Sequence, residues 1–441
     1  MIYNIIIKIA YVSIVGWFAL AGNAMPGQPI RALAQEHVVF DRSPDPLNIP
    51  LYTPSILRLP DGRLVAASER GGTWQKQGNH RARIAISDDG GISWKQQAGA
   101  DIIQGRLFKA GNAVYYLGHL RDLKIMRSDD NGATWSGEFA LTSGQSWHQT
   151  AANVWHAKGN VYLVMERYTS HEIKGWPVGE LAPVLMRAKE KDDLTKRESW
   201  TFASEITFAN IISGYRENKP QLSGVGIPFF EQSYPVSTMV TRHRAMAPIG
   251  WLETNVVQIV DPDHYWFDPA GATFHLFMRA HTGGTGFASL AKVTENQDGS
   301  MTTSLVQAPS GQAMLFLPFP GGQMRFHVVY DRRTKLYWLL GTQATDSMTR
   351  ADRLPVDRYN IPNNERQRLA LHFSKNMVDW CFAGLVAVGP GNKGSRHYAS
   401  MDIDGDDLVI LARSGDRNAK SAHEGNLITF HRVRNFRALV Y

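Results

Sequence analysis

The octet SDDGGISW, Ser87 to Trp94, returns forty-one residues later as SDDNGATW, Ser128 to Trp135. Each copy follows a short alternating run, "RARIAIS" and "LKIMRS", so each begins where a strand ends. Its Asp side chains can bond their own backbone and its glycines accept positive φ, which is the chemistry of a tight connection between strands. Neither copy has the D-x-[DN]-x-[DN]-G order with a later Glu that a calcium loop needs. Two catalytic Asp pairs would need two active sites, so the octets read as scaffold.

The pattern S-x-D-x-G-x-[ST]-W resembles the Asp-box, or bacterial neuraminidase repeat, of the sialidase superfamily. Ser87, Asp89, Gly91, Ser93 and Trp94 fill it, as do Ser128, Asp130, Gly132, Thr134 and Trp135; "SKNMVDW", Ser374 to Trp380, is a shorter copy without the glycine. In that family the box joins the third and fourth strands of a propeller blade, at the periphery. A repeat of this length suits blades that cannot bury their faces alone. A unit of strand, turn and apolar strand ending in a charge recurs from "PSILRLPDGRLVAASER" to "ASMDIDGDDLVILAR". About six units are present, so the expected fold is all-β: a six-bladed, sialidase-like β-propeller with four-stranded antiparallel blades. The run "DIDGDD" at 402–407 falls where the other hairpin turns fall and is read as a turn.

Residues 1–24 read as a secretory signal peptide, with Lys8, an apolar run too short to span a bilayer, and small residues before a cut after Ala24. Residues 25–441 are then one propeller, interrupted at about 206–252 by an irregular insert expected to cover the axial mouth. A single cysteine, Cys381, allows no intrachain disulfide, which with the leader suits a bacterial periplasmic or extracellular protein. The net charge of +7 favours an anionic partner. No basic block with interleaved aromatics is present, so an acidic oligo- or polysaccharide is expected rather than nucleic acid. No membrane span after cleavage, no cofactor, no metal and a monomeric state are expected.

In a propeller the innermost strands line a central channel, and ligands bind where strand starts and loops converge. Strand starts supply Tyr52, His148, Glu253, Arg325, His397 and Tyr398; the ends of the next strands supply Glu69, His119, Glu166, Arg167, Arg279, His281 and Arg413. Arginine forks suit sugar carboxylates. The sialidase resemblance implies three arginines on the substrate carboxylate, a Tyr nucleophile polarised by a Glu, and an Asp acid/base. "RHYASMDID" puts the tyrosine at Tyr398 and "RQRLALHFS" puts an arginine at Arg366. The sequence departs elsewhere: Tyr52-Thr53-Pro54 stands for the R-I-P motif, Asn79 and His80 for the Asp, Gln258 for the Glu, and Arg279 is the nearest second arginine.

The candidate catalytic residues are therefore Tyr398, His148, His80 and Tyr52, with Arg366, Arg279, Arg325, Arg167, Glu166 and Gln258 for substrate. Three functions follow. The first is a secreted sialidase-like glycosidase acting on a sialic- or uronic-acid glycan. The second is a uronate lyase in which histidine is the base, arginine neutralises the carboxylate and tyrosine returns a proton. The third is a glycan-binding propeller without catalysis.

Overall fold

A computed structural model describes residues 30–441 except 174–175, 218–237, 242–243, 247, 283, 346–348, 350–352 and 354–364. The leader read at 1–24 and about half of the insert read at 206–252 lie outside the described residues. Residues from Ala32 to Tyr441 make one compact unit. No helix among the described residues is long and apolar enough to cross a membrane.

Six antiparallel sheets form the blades of a propeller. Blade 1 is Leu51–Arg58, Leu64–Arg70, Ala82–Ser87 and Lys95–Ala100; blade 2 is Ile103–Ala110, Ala113–Leu120, Asp122–Ser128 and Phe139–Ala140. In blade 3 two short segments, Trp147–His148 and Trp155–Ala157, share the innermost place against Asn160–Tyr168, followed by Leu181–Lys189 and Trp200–Phe202. Blade 4 is Gly250–Val257, Thr273–His281, Phe287–Glu295 and Met301–Ser304, so its inner strand starts inside the stretch read as insert. Blade 5 is His327–Asp331, Leu336–Gln343, Arg368–Ser374 and Cys381–Val388. Blade 6 takes Ser395–Asp404, Asp407–Gly415 and Leu427–Val433 from the C-terminus and its outer strand, Val38–Arg42, from the N-terminus, which closes the ring.

The octets sit between third and fourth strands, and their two sets of hydrogen bonds are near copies. Asp89 Oδ1 accepts from Ser87 Oγ at 2.7 Å and Ser93 N at 2.9 Å; Asp130 Oδ1 accepts from Ser128 Oγ and Thr134 N, both at 2.8 Å. Gly91 N and Gly132 N each donate to the leading serine at 2.8 Å. The indoles of Trp94 and Trp135 donate back to the glycine carbonyls at 3.2 and 3.1 Å. The hydroxyls of Ser93 and Thr134, donating to the Oδ2 atoms at 2.6 Å, and then the Oδ1 bonds hold the Asp89 and Asp130 carboxyls down at about 2. Trp94 packs edge-on against Phe40 and Phe430 of blade 6, and a Cβ on Gly91, at φ 94°, would strike the Phe430 ring at 2.3 Å. Each octet therefore seals its blade onto the one before it. In the shorter copy Asn376 takes the Asp role, and Met377, at φ 63°, takes the glycine's.

Around the channel, one side-chain clamp ties each blade to the next. Ser55 Oγ accepts from Leu107 N at 2.9 Å, and Arg106 donates to the carbonyls of Asn153 and Val164 at 3.1 and 2.6 Å. Asn153 both donates to Val256 O and accepts from Val256 N at 2.8 Å. Asn255 does the same to Phe326 O and Val328 N at 3.1 Å. Arg325 donates to the carbonyls of Tyr398 and Ala399 at 2.5 and 2.8 Å. Asp402, in the run "DIDGDD", accepts from Arg58 N at 2.7 Å and closes the circle. Buried backbone groups must be paired, and inner strands pair on one side only, so side chains complete the set. Asn153→Ala strands both polar groups of Val256 and should cost about 2 kcal/mol or more. Urea unfolding checks this; an unchanged midpoint would mean that blades 3 and 4 do not need the clamp.

Candidate active site

Four inner strands slip register at the same level, between Tyr52 and Ser55, Ile103 and Arg106, Leu252 and Asn255, and His397 and Ser400. The residue at each bulge is left-handed without being glycine: Thr53 at φ 43°, Gln104 at 55°, Glu253 at 59° and Tyr398 at 49°. Bulges of this kind re-aim side chains and cluster at functional sites, where the strain of about 1–3 kcal/mol each is held by surrounding structure. Here the holding groups come from other strands.

Tyr398 is 7% exposed and stands among arginines. Arg279 Nη1 donates to its hydroxyl at 2.5 Å and lies 3.3 Å from Glu253 Oε2. The phenol also hydrogen-bonds the Glu253 carboxylate. The guanidinium carbons of Arg366 and Arg413 lie 5.3 and 5.5 Å from the centre of the same ring. Burial pushes the phenol pKa up; Arg279 and Arg366 oppose this and Glu253 adds to it. Arg279 Nε is fixed by Gln323 O at 2.9 Å. Tyr52, where the resemblance calls for an arginine, lies under the Arg413 guanidinium at 4.2 Å, so blade 6 brings a cation to blade 1's place.

His148 lies on the blade 3 side of this mouth. Its Nδ1 is 3.5 Å from Oε2 of Glu166, which is wholly buried. Oε1 of Glu166 accepts from Thr254 N at 2.9 Å, Thr254 Oγ1 at 2.7 Å and Gln149 Nε2 at 3.0 Å. Glu166 thus anchors the residue after Glu253 and cannot itself meet a substrate. The half-exposed Trp176 ring stands edge-on to His148, with centroids 5.3 Å apart.

Four other expected site residues do different work. Arg325 is buried under the mouth as the clamp on Tyr398's backbone, its pKa brought down to about 10 by burial. Arg167 pairs with Glu205 at 2.6 Å, both side chains about a third exposed. His80 has a side chain 63% exposed beside Asp101, outside the cluster. Gln258 lies past the far end of the inner strand, bonded to Trp155 Nε1 and Gly271 O. At roughly 3.3 Å per residue, five positions separate it from Glu253 by more than a side chain's reach. Glu253, Glu69 and Arg413 were read at strand ends facing the mouth but given no role, and Gln104 was not named. Gln104 and Glu253 share a signal in "QGR" and "ETN", where each stands two residues before its blade's clamp.

At the other end of the channel a cavity of about 340 Å³ is lined by Ser55, Asn153, His327 and Asp402 among others, and three of these four hold blades together. No group of three or more His, Cys, Asp or Glu among the described residues is placed to hold a metal ion.

No protein-family model matches the chain, and no curated protein sequence matches it. Solved structures do. A Trypanosoma rangeli sialidase mutant displaying trans-sialidase activity aligns at a TM-score of 0.50 and 12% identity, over 93% of this chain and 60% of its own. The Hadza microbial sialidase Hz136 aligns at 0.50 and 12%, over 92% and 69%. A Penicillium chrysogenum alpha-L-arabinanase complexed with arabinobiose aligns at 0.49 and 11%, over 92% and 99%. The chain therefore has the six-bladed fold of the sialidase-like glycoside hydrolases. It spans less than two thirds of the trypanosomal enzyme.

Burial and neighbouring arginines hold His397 and His281 neutral, well below the usual imidazole range, and burial brings His119 to about 3. Below pH 6.5 the unfolded chain takes protons that these folded sites refuse, so each removes up to about 1.4 kcal/mol of stability per pH unit. Glu69 and Asp402, raised by burial, act oppositely but are fewer. The urea midpoint should fall as pH drops from 7 towards 5, and less steeply in His397→Gln. A midpoint that is flat over this range would show that these imidazoles are charged in the fold.

Proposed function

We propose that this chain is an exported glycosidase that removes an acidic sugar, sialic or uronic, from a glycan. The observation that carries the reading is the contact set Arg279–Tyr398–Glu253, with Arg366 and Arg413 against the same phenol. Tyr398 attacks the anomeric carbon while Glu253 takes its proton. With its pKa raised, the phenol stays neutral at working pH, so attack and proton transfer are coupled. The guanidinium groups offer parallel N–H pairs that fit a sugar carboxylate. Two structures of this fold are named sialidases. Export rests on the residue pattern at 1–24.

A lyase would need Tyr398 to give up its proton to a leaving oxygen. Its bond to Glu253, a carboxylate placed to receive that proton, favours the nucleophile role. The test is turnover of 4-nitrophenyl glycosides of N-acetylneuraminic and glucuronic acids, beside acidic polysaccharides assayed for reducing ends and for near-ultraviolet absorbance. Tyr398→Phe and Glu253→Gln should each lower kcat/KM by at least about a hundredfold. Arg366→Lys should act mainly on KM. An unsaturated product would replace this reading with a lyase; binding without turnover would replace it with a lectin-like propeller.

A further inference from the structure

The hydrolysis proposed above needs a proton for the departing oxygen, and no carboxylate stands at Asn79 or His80. Two other groups at the mouth are placed to be considered, His148 and Glu69. The hydrogen bonds decide between them.

Gln104 Oε1 accepts from the backbone N–H of Gln149 at 3.2 Å, which fixes which end of that amide is oxygen. The same oxygen accepts from His119 Nε2 at 2.7 Å, so His119, a neutral imidazole, carries its proton there. The amide nitrogen of Gln104 then donates to His148 Nε2 at 3.4 Å. His148 must carry its own proton on Nδ1, which faces Glu166. One imidazole nitrogen is occupied as an acceptor and the other is turned inward, so His148 offers the mouth no proton.

Glu69 differs. It ends the second strand of blade 1, directly across the ladder from Tyr52, and is half-buried. Its Oε2 accepts from Gln104 N at 2.6 Å, across the seam between blades 1 and 2, and among the described residues its Oε1 makes no hydrogen bond. Arg413 of blade 6, Arg81 of its own blade and His148 of blade 3 are the charged or titratable groups whose fields reach it, and Tyr116 of blade 2 lies within its own. Burial is the largest influence on this carboxyl and holds its proton above the usual carboxylate range. A carboxyl that burial keeps protonated is the pattern by which glycosidases hold an acid ready at neutral pH.

We propose that Glu69 is the acid/base of this site, an assignment that rests on the hydrolase reading. As the glycosidic C–O bond breaks, the Glu69 proton passes to the leaving oxygen, Tyr398 Oη bonds the anomeric carbon, and the phenol proton goes to Glu253. In the second half a water gives its proton to the Glu69 carboxylate and its oxygen to the anomeric carbon. Tyr398 leaves and recovers its proton from Glu253.

The experiment compares methyl and 4-nitrophenyl glycosides of N-acetylneuraminic and glucuronic acids in the full chain and in Glu69→Gln, Glu69→Asp, His148→Ala and Tyr398→Phe. Glu69→Gln should lose roughly 10²–10⁴-fold in kcat/KM on the methyl glycoside and far less on the nitrophenyl one, whose leaving group needs no proton. The alkaline limb of kcat/KM should vanish in Glu69→Gln and persist in Glu69→Asp, which also serves if the amide variant fails to fold. His148→Ala should lose equally on both substrates. The proposal is overturned if the Glu69 variants lose equally on both, or if His148→Ala carries the leaving-group dependence. An active Tyr398→Phe refutes the nucleophile instead, and no turnover by the unaltered chain refutes the hydrolase reading and this assignment with it.

Discussion

The ring of clamps from Ser55 through Arg106, Asn153, Asn255 and Arg325 to Asp402 is the constraint on which the rest of this molecule depends. Apolar packing between blades, as in the faces of Leu107, Val114 and Tyr116 against Val65 and Ile84, drives them together but is non-directional. It leaves two twisted sheets free to slide. A hydrogen bond from a side chain of one inner strand to the backbone of the next has one register in which it forms. Six such clamps in a closed circle allow little slippage at any seam, because every blade is both held and holding.

The same circle sustains the strained bulges from which the site is made. Arg325 grips the carbonyl of Tyr398, Glu166 grips the N–H next to Glu253, and Glu69 grips the N–H of Gln104. In each case a side chain from elsewhere in the ring meets the backbone of a left-handed residue or its immediate neighbour. The bonds from Arg325 are charge-assisted, the stronger kind, and suit a position that must resist relaxation into ordinary β geometry. The site is thus rigid by construction: its phenol and its carboxylate project from inner strands, and their backbones are pinned from behind.

How far the sequence showed this follows from which interactions are local. The octets were legible because all their bonds close within eight residues, and an Asp, a Gly and a Trp at fixed spacing leave a trace that survives without an alignment. The blade units were legible because a Gly-bearing turn followed by an apolar strand ending in a charge recurs, as before and along Leu64–Arg70 and Asp407–Gly415. Tyr398 and Arg366 were placed by resemblance, and the structure brings them together. Glu253 was read at the mouth but passed over as the phenol's partner, because the resemblance pointed to Gln258 for the glutamate, and Gln258 lies at the wrong end of the strand. Arg325 and Glu166 read as site residues because burial at a strand start looks alike whether a side chain faces a ligand or a carbonyl. Only the partner across the seam tells them apart, and that partner lies up to 88 residues away for Glu166.

The charge balance of the mouth explains why the proposed proton chemistry falls to carboxyls and a phenol, although histidines outnumber them. His281, His397 and His423 share the region with Arg279, Arg366 and Arg413, and both burial and those cations oppose a further positive charge on an imidazole. Arg366 donates to His397 Nδ1, a bond that a charged ring would forfeit. A neutral imidazole at working pH is a weak acid and cannot supply a leaving group. A carboxyl in the same surroundings has more freedom: burial raises it, arginines lower it, and the outcome depends on how much of each it meets. Glu253 touches Arg279 directly, whereas Glu69 meets its cations only through space and is governed by burial. In the mechanism proposed above, Glu69, whose proton burial retains, is therefore the group with one to give.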